Sequence, residues 1–377
     1  MTEHETTAVA LELRDAVRQF LDKHATDDDQ ARRFDSADPA DSADLVQGLA
    51  DLGAFALCAP ESADGLGLGP AALVPLFTLF GERLVTGPVL EQCLLPGLLL
   101  EQLADGLDPR AGTLLRDAVV GERRVALVDG GASLEWRDLL QGIEIGPSGI
   151  EGTVGMVRSA GEADVLVLVA EGAETAVALV ETPTPGLRVD PIDIQANGSR
   201  FASVTVAPGT ALLPLAEGEA ARRLIARIRA WTRLLLAAEL AGLARRAVDD
   251  SVEYIKVRKQ FGKPVGTFQA VKHIAATATA RTVVAENVCR AVAEDADGLS
   301  LEEFSGAAMA AKAYCSEFGP SVCEDAIQLH GGIGFTKELR LHRYYMRSLA
   351  LRSWYGDETE LSEALGRALL AAGEAHP

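Results

Sequence analysis

The sequence predicts an α+β protein in three consecutive parts: an N-terminal helical domain over residues 1–118, a middle small β-barrel or sandwich domain over 119–215, and a C-terminal four-helix bundle over 216–377. Three observations carry this division. Near the N-terminus Leu13, Val17, Phe20 and Leu21 fall at i, i+4, i+7 and i+8, the spacing of one buried helical face. The middle is broken into short aliphatic runs separated by turn residues. Beyond Gly218 no proline occurs before Pro264, and Gly242 alone interrupts a long helical pattern running to Lys259.

The first part continues with a stripe of Leu45, Leu49 and Leu52 that stops at Gly53. Asp64 to Pro70 carries three glycines. No strand–turn–helix pattern surrounds them, so they read as a connector rather than a phosphate cradle. Helical patterning resumes over Ala72–Leu84 and Leu90–Leu103. In the middle part, strands are expected at Arg124–Val128, Val165–Val169, Ala176–Val180 and Val204–Val206, with turns at Gly130-Gly131, Pro147-Ser148-Gly149 and Pro183–Gly186. In the last part, Leu224, Ile228, Trp231 and Leu235 line one face of the first helix, and further helices are expected over 268–295, 301–329 and 339–371. Four long helices with short connections make an antiparallel bundle.

Composition narrows the function. A 377-residue chain that is 48% hydrophobic buries more than one core. Its apolar runs fall far short of the roughly 20 residues of a membrane span, and Met1-Thr2-Glu3-His4-Glu5 does not open a secretory signal. A formal charge of −20 disfavours nucleic acid and anionic membranes, whose phosphates demand a basic surface. A phosphorylated ligand would need a locally basic pocket. Five scattered cysteines without a Cys-x-x-Cys pair read as packing thiols in a reducing, cytoplasmic compartment, and six histidines without ligand spacing predict no metal site.

Two motifs carry chemistry. In Arg258-x-x-Phe261-Gly262-x-Pro264-x-Gly266-x-x-Gln269 a helix ends, the chain turns, and a new helix begins. The Arg258 guanidinium offers a fork of donors suited to a phosphate pair, and Gln269 an amide for a diphosphate or ribose oxygen; an ordinary helix corner with a surface arginine is the alternative. About sixty residues later comes Gln328-x-x-Gly331-Gly332-x-Gly334-Phe335, whose glycines allow close backbone approach by a ligand or simply cap a helix.

The pair of motifs resembles the acyl-CoA dehydrogenase family, in particular subunits of heteromeric actinobacterial members. The resemblance extends to Leu13–Leu21, to Leu49-Ala50-Asp51-Leu52-Gly53 with Ala59-Pro60-Glu61, and to the helix–β–helix order. It implies FAD shared between neighbouring subunits, with Arg258, Phe261, Gln269, Gln328 and Gly332 supplying the ADP half. It further implies an acyl-CoA substrate, a homo- or heterotetramer, and an electron-transfer flavoprotein as acceptor. The reaction needs a carboxylate to remove the α proton while the β hydride passes to the flavin.

The resemblance fails where the base is expected. Members carry a glutamate in a C-terminal Tyr-Glu-Gly-Thr; here Trp354-Tyr355-Gly356-Asp357-Glu358 places Gly356 at that position. Other members place it just before an arginine on the first bundle helix, which corresponds to Thr232 before Arg233. The remaining candidates are Glu239 and Asp357. Glu239 lies two turns beyond Thr232 in an apolar stretch that would raise its pKa, or else it pairs with an arginine such as Arg245 or Arg246. Asp357 is a base or the cap of the final helix. The flavin-facing stretch also departs: Val128-Asp129-Gly130-Gly131-Ala132-Ser133-Leu134 lacks the family pattern, no flavin-facing tryptophan is evident around Arg158-Ser159-Ala160-Gly161, and Trp136 reads as packing. Three functions follow as expectations: a self-sufficient dehydrogenase, a non-catalytic partner completing the FAD site of a catalytic paralogue, and a flavin monooxygenase on the same fold. The intact Arg258 and Gln269 motifs weigh against the third.

Overall fold

A computed structural model describes residues 3–35, 40–103, 106–130, 142–192 and 198–374. The helix–sheet–helix order is the one the sequence predicts. By packing, the chain forms two compact units: Met1–His24, Arg32–Leu73 and Thr86–Thr232 make the first, and Ala25–Ala31, Val74–Val85 and Arg233–Pro377 the second.

The first unit holds helices α1 (Glu3–His24), α3 (Ala40–Asp51), α5 (Val89–Gln102) and α6 (Pro109–Val119) beside an eight-stranded sheet; the short α2 (Asp27–Asp35) precedes α3. Asp108 caps α6 by accepting from the Arg110 N–H, with Pro109 at the first helical position. Gln92 on α5 is a tie that no sequence pattern announces. Its amide donates to the carbonyls of Ala118 and Arg123, and its oxygen accepts from Val125 N–H.

The sheet runs β6 (Leu187–Ile192), β7 (Phe201–Val206), β3 (Gly149–Arg158), β2 (Ile143–Gly146), β4 (Val165–Glu171), β5 (Thr175–Glu181) and β8 (Leu213–Glu217), with β1 (Val125–Asp129) pairing β4 in parallel. Alanine, valine and leucine side chains from both halves of the sheet share one core, including Val128, Val154, Leu166, Leu168 and Val204. The four expected strands are β1, β4, β5 and β7. The others lack an aliphatic run: β3 carries Gly149, Gly152 and Gly155, and β6 and β8 each contain a proline and stay half-exposed. Strand β3 bulges between Val154 and Val157, where Met156 takes a left-handed φ of 59°. Residues 131–134 and Trp136 lie outside the described residues.

The second unit holds α4 (Val74–Glu82), the larger part of α7 (Gly218–Val257), and α8 (Gln269–Glu294), α9 (Leu301–His330), α10 (Leu341–Ser353) and α11 (Glu358–Glu374). Gly242, the interruption visible in the sequence of α7, marks a close helix crossing: a Cβ there would come within 1.9 Å of the Thr78 carbonyl oxygen on α4. The single helix expected over 339–371 is two helices. It breaks because Tyr355 and Gly356 both adopt left-handed conformations, φ 59° and 100°. The five cysteines are buried and unpaired by disulfides; burial pushes the Cys58 and Cys323 thiols up to about 12, which suits inert packing groups. Among the described residues no helix is long and apolar enough to cross a membrane, and no cluster of His, Cys, Asp or Glu could hold a metal ion.

Candidate functional site

The two motifs meet in the second unit. Ile255 near the end of α7, Ala275 on α8 and Leu329 on α9 form one small core, joined by Tyr254, Val265, Val271 and Ile274. Tyr254 also stacks on His330, ring centroids 4.3 Å apart. This packing fixes the turn 258–268 beside the turn 331–335. Within the first of these turns, a short hairpin pairs Lys259 and Gln260 with Pro264 and Lys263.

Every residue assigned to the ADP half is exposed: Arg258, Phe261, Gln269, Gln328 and Gly332. Phe261 is 91% exposed and left-handed, φ 51°, while nearby Phe335 is 77% exposed. Arg258, Lys259 and Lys263 put three cations on one short turn of a chain whose net charge is −20, and the N-terminus of the 26-residue helix α8 opens at Gln269. Cationic side chains, a long helix N-terminus and open space over Gly332, where an added Cβ would meet nothing within 4 Å, fit the diphosphate and adenine half of FAD. Large exposed aromatics at one turn fit a face that a ligand or another chain covers.

The candidate bases sit elsewhere in this unit. Glu239 on α7 is 2% exposed, and its Oε1 accepts from Nε and Nη2 of Arg347 at 2.8 and 2.7 Å. Arg347, itself 2% exposed, also lies over the Trp354 ring, 5.4 Å from its centroid. The arginines adjacent in sequence are engaged otherwise: Arg245 with Glu286 and Arg246 with Asp250. Asp357 caps α11. Its Oδ1 accepts from the N–H groups of Thr359 and Glu360, and Glu360 Oε2 accepts in return from Asp357 N–H.

The loop between α10 and α11 is gripped through its backbone. Arg233 Nε donates to the Tyr355 carbonyl at 3.0 Å. Lys312 on α9, fully buried, donates to Ser316 Oγ at 2.7 Å and to the carbonyls of Arg352 and Gly356 at 3.0 and 3.1 Å. A Cβ on Gly356 would lie 2.8 Å from Leu361 Cδ2. With a left-handed φ of 100° as well, Gly356 has neither the backbone angle nor the volume that suits a side chain. Lys312 was legible only as a lone cation among Ala308, Ala311 and Cys315 on a small-residue helix.

Burial pushes the Lys312 ammonium down to about 7; Arg233 adds to the effect, and Cys315, Glu358 and Asp357 oppose it. The network serves either protonation state, because a neutral amine can donate to two carbonyls and accept from Ser316. Below about pH 7 folded and unfolded chains both carry the proton, and the buried charge costs stability in full. Between about 7 and the ordinary value of 10.5 only the unfolded chain keeps it, so stability rises with pH across that window, by at most about 5 kcal/mol. Lys312→Met is expected to flatten this rise in urea unfolding followed between about pH 6 and pH 9; an unchanged slope would assign it to other groups.

The first unit contains Asp129 and Arg158, which stand in the two stretches where the sequence departs from the family's flavin-facing pattern. Asp129 ends β1 with its side chain 1% exposed; its two oxygens accept from Nε and Nη2 of Arg229 at 2.9 and 2.6 Å. Glu171, at the end of β4, takes Nη1 and Nη2 of the same guanidinium at 3.2 and 2.5 Å. After the β3 bulge, Arg158 bonds Glu91 on α5 through Nε and Nη2 at 2.7 and 2.6 Å. Thr232 is 1% exposed, and its hydroxyl finds no hydrogen-bond partner among the described residues.

Comparison with known proteins agrees with this layout. Residues 7–82 match the family model for the acyl-CoA dehydrogenase N-terminal domain and residues 223–370 that for the C-terminal domain. Acyl-CoA dehydrogenase FadE34 of Mycobacterium tuberculosis is 33% identical over 321 residues, 83% of this chain; the chain spans only 40% of that relative's length. Among solved structures, a steroid ACAD variant of Tcur3481–Tcur3483 superposes with a TM-score of 0.85 at 25% identity, covering 98% of this chain and 99% of the other. The ChsE4–ChsE5 complex from Mycobacterium tuberculosis gives 0.84 at 22% identity over 98% of each chain, a likeness of fold.

Proposed function

The chain belongs to the acyl-CoA dehydrogenase family of FAD flavoproteins, and from that premise we propose that it serves the α,β-dehydrogenation of an acyl-CoA thioester as a tetramer subunit, its bundle completing the FAD site of a catalytic paralogue. The observation that carries this reading is Gly356, whose left-handed φ of 100° and contact with Leu361 leave no place for the family's glutamate. The other carboxylates support it. Glu239 is spent on Arg347 in a buried pair, and Asp357 on the N-terminus of α11. A self-sufficient homotetramer would need one of these two to leave its partners before taking a proton.

When bound, FAD supplies the hydride acceptor. This chain's part is to hold its ADP half. Arg258 neutralises diphosphate charge through charge-assisted bonds. Gln269 and Gln328 offer amides to ribose or phosphate oxygens, and Phe261 an exposed face to the adenine. The absence of a carboxylate at Gly356 leaves α-proton removal to the paralogue. The steroid ACAD likeness supports a bulky CoA thioester as substrate, and family likeness an electron-transfer flavoprotein as acceptor.

Arg258→Ala in the co-assembled protein tests the ADP-half assignment. Losing a charge-assisted contact of roughly 1.5–3 kcal/mol should weaken FAD retention by about 10- to 100-fold through gel filtration. FAD content equal to wild type would assign the ADP half to other residues.

A further inference from the structure

We infer that Arg340 and Asp250 form a clasp that holds the glycine turn 331–335 against the turn at Arg258, which makes both of them positioning residues for the nucleotide half. This rests on the reading of the two turns as the ADP half and adds what keeps them in register. Arg340 closes the segment that begins at Gly331, just before α10 starts at Leu341. Its guanidinium is forked on Asp250 of α7: Nε donates to Oδ2 at 2.8 Å and Nη2 to Oδ1 at 2.9 Å. Nη1 takes the Asp27 carboxylate on α2. Arg246, one turn earlier on α7, has its Nε 3.0 Å from Asp250 Oδ1 and so steadies the same carboxylate. The Arg340 and Asp250 side chains are 19% and 22% exposed. A two-bond fork at that depth fixes orientation as well as distance, and salt screens it less than a surface pair.

The placement of the clasp gives it this role. Asp250 stands about two helical turns before Arg258, and α7 runs unbroken between them to Val257. Asp250 is therefore rigidly joined to the start of the first turn. The near end of the glycine segment is tied to the same stretch of helix, because Tyr254 stacks on His330 and Ile255 packs with Leu329. Arg340 ties the far end. The segment 331–340 is thus a strap with both ends on α7, and Gly332 and Phe335 lie between the anchors. Such a strap needs both ends. Gly331 already takes a left-handed φ of 65°, and three glycines in four residues leave the backbone many alternatives. With the far anchor cut, binding a nucleotide must also order the strap, and affinity falls by that ordering free energy.

Titration of the co-assembled protein, stripped of flavin, with FAD tests the clasp against a matched control. Arg340→Ala is expected to weaken FAD binding by about 3- to 10-fold. Arg245→Ala removes a comparable fork from the same helix, Nε and Nη2 on Glu286 at 2.8 and 2.5 Å, far along α8 from Gln269. It should lower the urea midpoint yet leave FAD affinity within about 2-fold of wild type. An Arg340→Ala affinity within that same margin would overturn the clasp. So would equal losses of affinity in the two variants, which would assign the effect to a loosened bundle. Asp250→Asn, a milder change, should weaken FAD binding as Arg340→Ala does, and the double variant no further than the larger single loss, because one bridge is removed in each case; losses that multiply would show two independent roles and overturn it. Arg258→Ala separates the two levels. If it leaves FAD affinity unchanged, the ADP-half reading falls and the clasp with it; if it weakens binding while Arg340→Ala does not, the clasp alone falls.

Discussion

Arg347→Met is expected to destabilise the protein by about 3–5 kcal/mol, the cost of leaving the Glu239 carboxylate buried without its guanidinium. Both side chains are almost fully enclosed, and Arg347 covers Trp354 as well. The double variant Glu239→Leu with Arg347→Met should recover most of that loss, because two apolar side chains of similar volume carry no desolvation penalty. Urea unfolding of the four proteins closes the cycle. The same pair decides a catalytic question. Glu239→Gln in the co-assembled dehydrogenase should stay within about 2-fold of wild-type turnover, whereas loss of a general base costs roughly 10²–10⁴. A drop of that size without a matching loss of fold would identify Glu239 as the base.

Gly356→Glu is the second large effect. It places the family's residue at the family's position, yet no activity should follow. A non-glycine residue in this left-handed region costs about 1–3 kcal/mol, and its Cβ must displace Leu361, which is fully buried. We expect a loss of about 2–4 kcal/mol in urea unfolding and no acyl-CoA-driven flavin bleaching by the isolated chain. A variant as stable as wild type that bleaches with substrate would mean that only the carboxylate was missing.

The turns proposed to hold the nucleotide half are readable as elements because each motif is a local object: a helix end, a turn and a helix start written in consecutive residues. What the sequence does not contain is the small core of Ile255, Ala275 and Leu329 that brings those turns together. The same limit explains the bases. Glu239 is visible as a carboxylate in an apolar stretch that invites an arginine partner, but the partner is Arg347, 108 residues away, rather than the neighbouring Arg245 or Arg246. The helical pattern runs on through Trp354–Asp357 in the sequence, and only the backbone angles at Tyr355 and Gly356 break it. Strands with alternating polar residues or repeated glycines, β3 and β6 above all, gave no aliphatic run to read. Lys312 and Arg229 are ordinary cations in sequence; their roles come from burial and from partners on distant elements.

On the proposed reading this chain completes a paralogue's FAD site and has no base of its own. The most direct measurement is the flavin content and acyl-CoA-driven bleaching of the chain purified alone and purified after co-expression with a paralogous acyl-CoA dehydrogenase chain. Little retained FAD and no bleaching are expected for the chain alone, and one FAD per two chains with full bleaching for the co-assembled protein. Stoichiometric FAD that bleaches with acyl-CoA in the isolated chain would contradict it.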